Sequence, residues 1–120
     1  MLNSTGTRVL ILEDVPTRDE SVRALLNGNP NDMDTKCVMP REKVYGRLAP
    51  MVETERKFAA LLGVTFLATS EFFCSSINDQ CICIVGNIRA YYDQHHITQQ
   101  YAAFIAPYVD IRLGQLKYFV

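Results

Sequence analysis

The chain has 120 residues, enough for one small domain and too few for two. Its hydrophobic fraction of 48% permits a packed core and argues against wholesale disorder. Twelve basic and 13 acidic side chains give a formal net charge of -1, which argues against a nucleic-acid or membrane-surface role driven by charge.

The sequence also lacks obvious membrane or export signals. No apolar run approaches the roughly 20 residues that a membrane helix needs. The first residues have neither the basic start nor the long apolar stretch of a signal peptide. Taken alone, these features predict a cytoplasmic chain.

The four cysteines, Cys37, Cys74, Cys81 and Cys83, leave three interpretations open. Cys74 and Cys81 close a short loop and could form a disulfide, which would imply an oxidising compartment. All four could instead be buried thiols, since cysteine is among the residues most often buried. A zinc site is disfavoured, because one residue between Cys81 and Cys83 is too few for the usual knuckle.

The first third of the chain begins with a predicted strand. The apolar run from Arg8 to Leu12 is typical of a strand buried on both faces, and Pro16 ends it because proline has no N–H for the ladder. Asp14 lies at the carboxyl end of this strand, where open α/β sheets bind ligands, so it is a candidate site residue. Thr17 to Leu26 is predicted to form a short helix with Thr17 as its N-cap.

The middle of the chain predicts a helix followed by a second strand. Pro40 to Leu62 carries an approximate apolar stripe, with a break expected near Pro50. Gly63 suits the helix C-terminus, and Val64 to Ala68 reads as a strand. Strand, helix and strand form a βαβ unit, which predicts an α/β fold with a mostly parallel sheet.

The remaining elements are shorter. Cys81 to Val85 predicts a third strand, and Ile88 to Tyr92 a fourth extended piece. Thr98 opens a helical pattern that is expected to end around residues 107–109, followed by a tail over 110–120 that is either a docked strand or a frayed end. The aromatic and aliphatic positions of this helix are expected to be core: Tyr101, Phe104, Ile105 and Tyr108.

The turn between the fourth strand and this helix carries the chemistry. Asp93 precedes His96 by three residues, a spacing that can supply the lower two members of a nucleophilic triad. His96 would accept the proton and Asp93 would orient it, with His95 and Asp14 as supporting candidates. A metal site from Asp93, His95 and His96 is a disfavoured alternative, because consecutive residues of a strand point to opposite faces. Tyr91 and Tyr92 are expected to pack.

Several blocks together resemble a known family. They are Gly63-Val64-Thr65-Phe66, Phe73-Cys74, Cys81 with Ile84-Val85-Gly86-Asn87, and Tyr91-Tyr92-Asp93-x-x-His96-Ile97-Thr98. These blocks resemble the C-terminal part of the SGNH-hydrolase-like domain that is fused to integral-membrane acyltransferases, notably in actinobacteria. The resemblance covers about residues 8–109. We expect residues 1–120 to form a single domain.

The resemblance implies a partial three-layer α/β/α sandwich and acyl transfer to or from a carbohydrate hydroxyl through an acyl-serine. It makes His96 the general base and Asp93 its orienter, and it implies a Cys74–Cys81 disulfide. This pairing leaves Cys37 and Cys83 with no partner assigned by the resemblance, and these two cysteines could pair with each other. The resemblance also implies an extracytoplasmic location, in contrast to the absence of export signals. No cofactor and no metal are expected.

The sequence departs from the family in its nucleophile. The family places a Gly-Asp-Ser block and two oxyanion blocks before the strand that corresponds to Arg8–Leu12, and no such block is present here. Ala68 also stands where the family often has an acidic residue, and the usual loop partner of Cys37 is absent. We therefore expect little activity from the chain alone and a partner that carries the serine half, with an acyl donor and a glycan acceptor as substrates. The alternative is a non-catalytic module that complements a partner chain or self-associates through an open sheet edge.

Overall fold

The structure, a computed structural model, describes residues 6–18 and 37–116. The elements are β1 (Leu10–Leu12), β2 (Met39–Pro40), α1 (Arg41–Tyr45), α2 (Ala49–Leu62), β3 (Thr65–Leu67), a 3-10 turn (Ser70–Phe72), β4 (Gln80–Cys81), β5 (Ile84–Val85), β6 (Ile88–Arg89) and α3 (Gln99–Gln115). The mixture of helices and small sheets confirms a partial α/β fold. In the described part of the chain, no helix is both long and apolar enough to cross a membrane.

The strands β1 and β3 form the parallel pair that the βαβ pattern predicts. Leu10 is paired with Thr65 and Leu12 with Leu67. The connection ends at Gly63, whose φ of 65° is left-handed and whose N–H bonds to the carbonyls at the end of α2. Glycine adopts this conformation without the steric cost of a Cβ, so the chain can leave the helix and enter β3 directly.

The predicted break in the middle helix lies before Pro50 and not at it. Residues 46–48 form a turn between α1 and α2, and Pro50 lies in the first turn of α2. A proline is tolerated there because the first N–H groups of a helix have no partner within it. The turn itself needs glycine, since a Cβ on Gly46 would lie 2.5 Å from the carbonyl oxygen of Glu42.

The predicted strand over Cys81–Val85 is wrong as one element. Its two ends pair with different partners: Cys81 with Met39 in an antiparallel pair, and Ile84 with Arg89 in a second antiparallel pair. The described sheets are therefore one parallel and two antiparallel pairs. Gly86, with φ of 58°, makes the two-residue loop of the second pair.

The main core lies around two disulfides. Cys74 bonds Cys81, as the family resemblance implies, and the two odd cysteines Cys37 and Cys83 bond each other. All four are buried, and the rings of Phe73, Tyr91 and Tyr101 pack among them at centroid separations of 5.7 Å. The alternatives of free buried thiols and of a zinc knuckle are therefore excluded, because every cysteine sulfur is bonded to another cysteine sulfur.

The final helix is longer than predicted. α3 continues through Pro107 to Gln115, so Asp110–Gln115 are helical and not a tail. Ala103 and Pro107 are exposed, so water can satisfy the carbonyl of Ala103 that the proline cannot reach. Beyond the proline, Arg112 makes a 2.7 Å ion pair with Glu71 that ties the extra turns to the 3-10 turn.

The core prediction for α3 holds for only part of it. Tyr101 is buried and Ile105 packs against the core. Phe104 and Tyr108 are 41% and 52% exposed, contrary to the expectation from their spacing. Most of the predicted Thr17–Leu26 helix and the end of the chain, 117–120, lie outside the described residues.

Glu13 is a buried charge that the sequence does not mark. One carboxylate oxygen accepts hydrogen bonds from the backbone N–H groups of Thr69, at 3.1 Å, and Ser70, at 2.9 Å. The other oxygen lies 3.5 Å from the guanidinium of Arg56. This carboxylate ties the carboxyl end of β1 to the start of the 3-10 turn, and its hydrogen bonds offset the cost of burying its charge.

The two disulfides should stabilise the fold unequally. The Cys37–Cys83 bond joins residues 46 apart in sequence, and Cys74–Cys81 joins residues 7 apart. Loop-closure entropy predicts losses of about 4 and about 2 kcal/mol, respectively, when each pair is replaced by alanines. Urea unfolding of the two double variants measures the difference, and an equal or larger loss from the short loop would contradict this explanation.

Candidate active site

The turn with the two histidines is held at both ends by backbone pairing. Tyr91 forms a bridge with Ile97, and the N–H of Tyr92 bonds the carbonyl of His96 at 2.7 Å. The N–H of Thr98 bonds the carbonyl of Ala90 at 3.1 Å. The chain therefore leaves β6, turns over Asp93–His96 and returns alongside itself before α3 begins.

Thr98 fixes the junction between this turn and α3. Its hydroxyl oxygen accepts the N–H of Tyr101 at 3.0 Å, which is the N-cap interaction predicted by a threonine before a helical pattern. The same hydroxyl donates to the carbonyl of Arg89. One side chain thus links the end of β6 to the first turn of the helix.

The Asp93 carboxylate organises the turn. Its Oδ1 accepts the backbone N–H groups of His95 at 2.9 Å and His96 at 2.8 Å. Its Oδ2 lies 2.8 Å from Nδ1 of His96. Aspartate side chains commonly bond backbone two residues ahead in this way, and here the second oxygen remains available to hold the imidazole.

The same contacts set the charge of Asp93. The hydrogen bond from the His95 backbone N–H, followed by that from the His96 side chain, holds the pKa of Asp93 well below the usual range. The carboxylate is therefore ionised at neutral pH and can only accept hydrogen bonds. An ionised acceptor beside Nδ1 favours the tautomer with its proton on that nitrogen, which leaves Nε2 as a lone-pair acceptor.

The imidazole that Asp93 holds is open to solvent. The His96 side chain is 65% exposed, that of His95 is 55% exposed, and Asp93 is 36% exposed. A reacting hydroxyl can therefore approach the His96 ring from solvent. This arrangement suits a base and its orienter, and the assignment of those two roles remains a prediction.

Arg18 anchors the turn from below, and sequence patterns did not single it out. It is 1% exposed, its backbone N–H bonds the carbonyl of Gln94 at 2.9 Å, and its guanidinium donates to the carbonyl of Cys37 at 2.6 Å. The guanidinium also lies 5.6 Å from the centre of the Tyr91 ring. Arg18 thus connects the turn to the Cys37–Cys83 disulfide.

The other predicted site residues lie around this centre. Asp14 is exposed at the end of β1, where its Oδ1 accepts the N–H of Val15 at 2.8 Å. Tyr91 is buried, as expected of a packing residue, and burial raises the pKa of its hydroxyl. Tyr92 is 64% exposed, so the expectation that it packs is wrong.

His95 lies beside His96 and not on an opposite face. The two ring centroids are 4.1 Å apart, and Nδ1 of His95 is 3.9 Å from Oδ1 of Asp93. The sequence argument against a shared site assumed strand geometry. The residues lie in a turn, so alternation does not apply and both rings lie next to the same carboxylate.

No serine completes a triad in the described part of the chain. Ser70, Ser75 and Ser76 lie there, and none of them hydrogen-bonds the His96 imidazole. The Ser75 hydroxyl instead accepts the N–H of Ile77 at 3.1 Å. A covalent acyl-serine therefore requires a serine from elsewhere.

Comparison with known proteins identifies the family. The family described as "SGNH domain (fused to AT3 domains)" matches residues 1–110. The chain belongs to this SGNH family. No curated protein and no solved structure gives a significant match. The family match agrees with the resemblance carried by the Asp93–Thr98 block and the Gly63–Phe66 block. The matched residues include every described strand and extend into α3 as far as Asp110.

The hydrogen bonds of this SGNH turn predict the titration of Asp93. Its carboxyl should titrate below the ordinary Asp pKa of about 3.9. In His96→Ala the side-chain bond is lost but the His95 N–H remains, so the pKa should rise only part of the way. Carboxyl ¹³C shifts followed against pH measure both values.

The sign of the linked stability follows from the lowered pKa. The stabilisation from ionised Asp93 is fully present above the unfolded pKa and is lost as pH falls through the lower folded pKa. An Asp93 that titrates in the ordinary range in the wild-type chain would contradict the proposed hydrogen-bond pattern.

Proposed function

We propose that this chain supplies the base and orienter of an SGNH-type active site that transfers acyl groups to or from carbohydrate hydroxyls. The observation that carries the proposal is the 2.8 Å contact between Asp93 Oδ2 and His96 Nδ1, combined with an exposed imidazole. Membership of the SGNH family supports hydrolase or acyltransferase chemistry, and the carbohydrate acceptor rests on the family resemblance.

The chemistry follows from the tautomer that Asp93 favours. Nε2 of His96 would take the proton of a serine hydroxyl while the serine oxygen attacks an acyl carbonyl. Asp93 would stabilise the imidazolium that forms. The imidazolium would give this proton to the first leaving group as that group departs, which leaves an acyl-serine. In the second step His96 would take the proton of the acceptor hydroxyl as its oxygen attacks the acyl-serine, and would return that proton to the departing serine oxygen.

The serine would come from a second segment, in the same polypeptide or in another. The sequence contains no Gly-Asp-Ser block. Removing one member of such a triad already costs several orders of magnitude in rate. We therefore propose that the 120 residues have little or no activity by themselves.

An extracytoplasmic location fits this proposal. Both disulfides lie in the buried core, and structural disulfides persist mainly in oxidising compartments. Reducing cytoplasm would leave four thiols in the interior, at the cost in stability given above.

An acyl-transfer assay tests the proposal. The chain is mixed or co-expressed with the segment encoded immediately upstream, and hydrolysis of an acyl ester and transfer to a sugar are measured. We expect activity from the combination, a loss of about 10,000-fold or more in His96→Ala, and no change in Asp110→Asn, a surface control on α3. Activity from the chain alone that His96→Ala leaves intact would exclude His96 as the base.

A non-catalytic interaction module is the second candidate, and an exposed apolar cleft favours it. The cleft has a volume of about 630 Å³ and lies along α3. Its apolar lining includes Phe72, Ile82, Val85, Phe104, Tyr108 and Ile111. Exposed apolar surface of this kind marks binding sites more often than inert surface. The occupant we propose is the polypeptide segment that carries the serine half.

Light scattering after size exclusion tests the cleft. Phe104→Glu, in the cleft, should weaken association with the upstream segment at least about tenfold, a loss of about 1.4 kcal/mol. Leu61→Glu, on α2 and 73% exposed, introduces the same charge outside the cleft lining and should have no effect. Equal effects of the two variants would mean that the cleft does not bind the segment. Concentration-dependent dimers of the chain alone would instead indicate self-association.

A further inference from the structure

We propose that Asp93, His95 and His96 bind a transition-metal ion such as Zn²⁺, reversibly and at the expense of the base function of His96. One ligand atom from each of the three residues lies within 4.8 Å of the other two. Two donors on one tetrahedral zinc are about 3.3 Å apart, given bonds of about 2.0–2.2 Å. Small rotations of exposed side chains would therefore close the site.

The donor set selects among metals. Two imidazoles and one carboxylate suit zinc, nickel and copper, whereas magnesium and calcium prefer oxygen ligands throughout. Three protein ligands leave a fourth position for water, and the exposed fractions of 36% for Asp93 and 65% for His96 leave room for it. The three residues are adjacent in one turn, so the backbone already holds them close before an ion arrives.

The rest of the chain offers no other imidazole or thiolate ligand for a metal ion. The sequence has two histidines in all, and both are in this turn. All four cysteines are disulfide-bonded and cannot act as thiolate ligands. Binding of a metal that requires imidazole must therefore involve His95 or His96, and a single substitution can remove it.

Metal binding at one nitrogen of His96 would prevent the other nitrogen from acting as the base. Nδ1 of His96 is the ring atom next to Asp93. An ion between these two residues replaces the proton that they share, and the neutral imidazole must then carry its proton on Nε2. Nε2 would no longer accept a proton from a hydroxyl. This consequence rests on the proposed function, whereas the binding itself does not.

Calorimetric titration of the full oxidised chain with ZnCl₂, NiCl₂ and MgCl₂, after removal of chelator, tests the binding. We expect one zinc or nickel ion per chain and no heat from magnesium. His95→Ala should weaken zinc binding by at least about tenfold, while Asp110→Asn, a matched carboxylate change on α3, should leave it unchanged. Stoichiometric zinc binding that His95→Ala does not weaken, or no binding below 1 mM zinc (about the weakest affinity worth assigning to a site), would overturn the proposal.

Imidazole ¹⁵N spectra test the competition without any catalytic assay. The His96 proton should be on Nδ1 in the metal-free chain and on Nε2 after zinc is added. Zinc bound while the His96 proton stays on Nδ1 and Nε2 stays free of metal would overturn mutual exclusion. Because neither measurement uses a substrate, failure of the acyl-transfer assay would leave both results interpretable.

Discussion

The Asp93 carboxylate is the constraint on which the rest of this site depends. It accepts the backbone N–H groups of His95 and His96 with one oxygen and holds the His96 imidazole at 2.8 Å with the other. The two hydrogen bonds to backbone N–H groups stabilise the turn, and the contact with Nδ1 orients the His96 imidazole. The fold of the turn and its proposed chemistry therefore rely on the same carboxylate. Substitutions of Asp93 are expected to change both the shape of the turn and the orientation of the His96 ring.

Buried residues of the core hold this exposed turn in place. Arg18 joins the carbonyl of Gln94 to that of Cys37, and Cys37 is bonded to Cys83. Thr98 anchors the other side, between β6 and α3. The turn is thus mounted on a disulfide-bonded core, although its own side chains face solvent. Preorganisation of this kind reduces the entropy that a catalytic side chain loses when it is positioned for reaction.

Local signals in the sequence predicted part of this arrangement. The β1–β3 pair, the Gly63 end of α2 and the Thr98 cap all follow from short-range rules, and the structure has them. Glu13 and Arg18 could not be found in that way, because Glu13 bonds Thr69, 56 residues away, and Arg18 bonds both Cys37, 19 residues away, and Gln94, which is farther still. α3 continues past Pro107, contrary to the local helix-breaking signal, and the Glu71–Arg112 ion pair contacts the turns that follow the proline.

The arrangement of the site residues could also be predicted only in part from local sequence. The Asp-x-x-His spacing predicted the contact between Asp93 and His96, since a short turn alone brings them together. The position of His95 was not predicted, because periodicity rules for strands do not hold in a turn. Its ring lies beside Asp93 and adds a third potential ligand. The proposed roles in acyl transfer and in metal binding would therefore exclude each other at this turn.

Amide hydrogen exchange at His95 and His96 tests most directly whether the Asp93 carboxylate forms the turn. In the wild-type chain and in Asp93→Asn, which keeps an acceptor oxygen, both amides should be protected. In Asp93→Ala they should exchange rapidly, while the Ala102 amide, bonded to the Thr98 carbonyl in α3, stays protected. Unchanged protection of His95 and His96 in Asp93→Ala would show that the turn forms without the carboxylate, and would contradict this account.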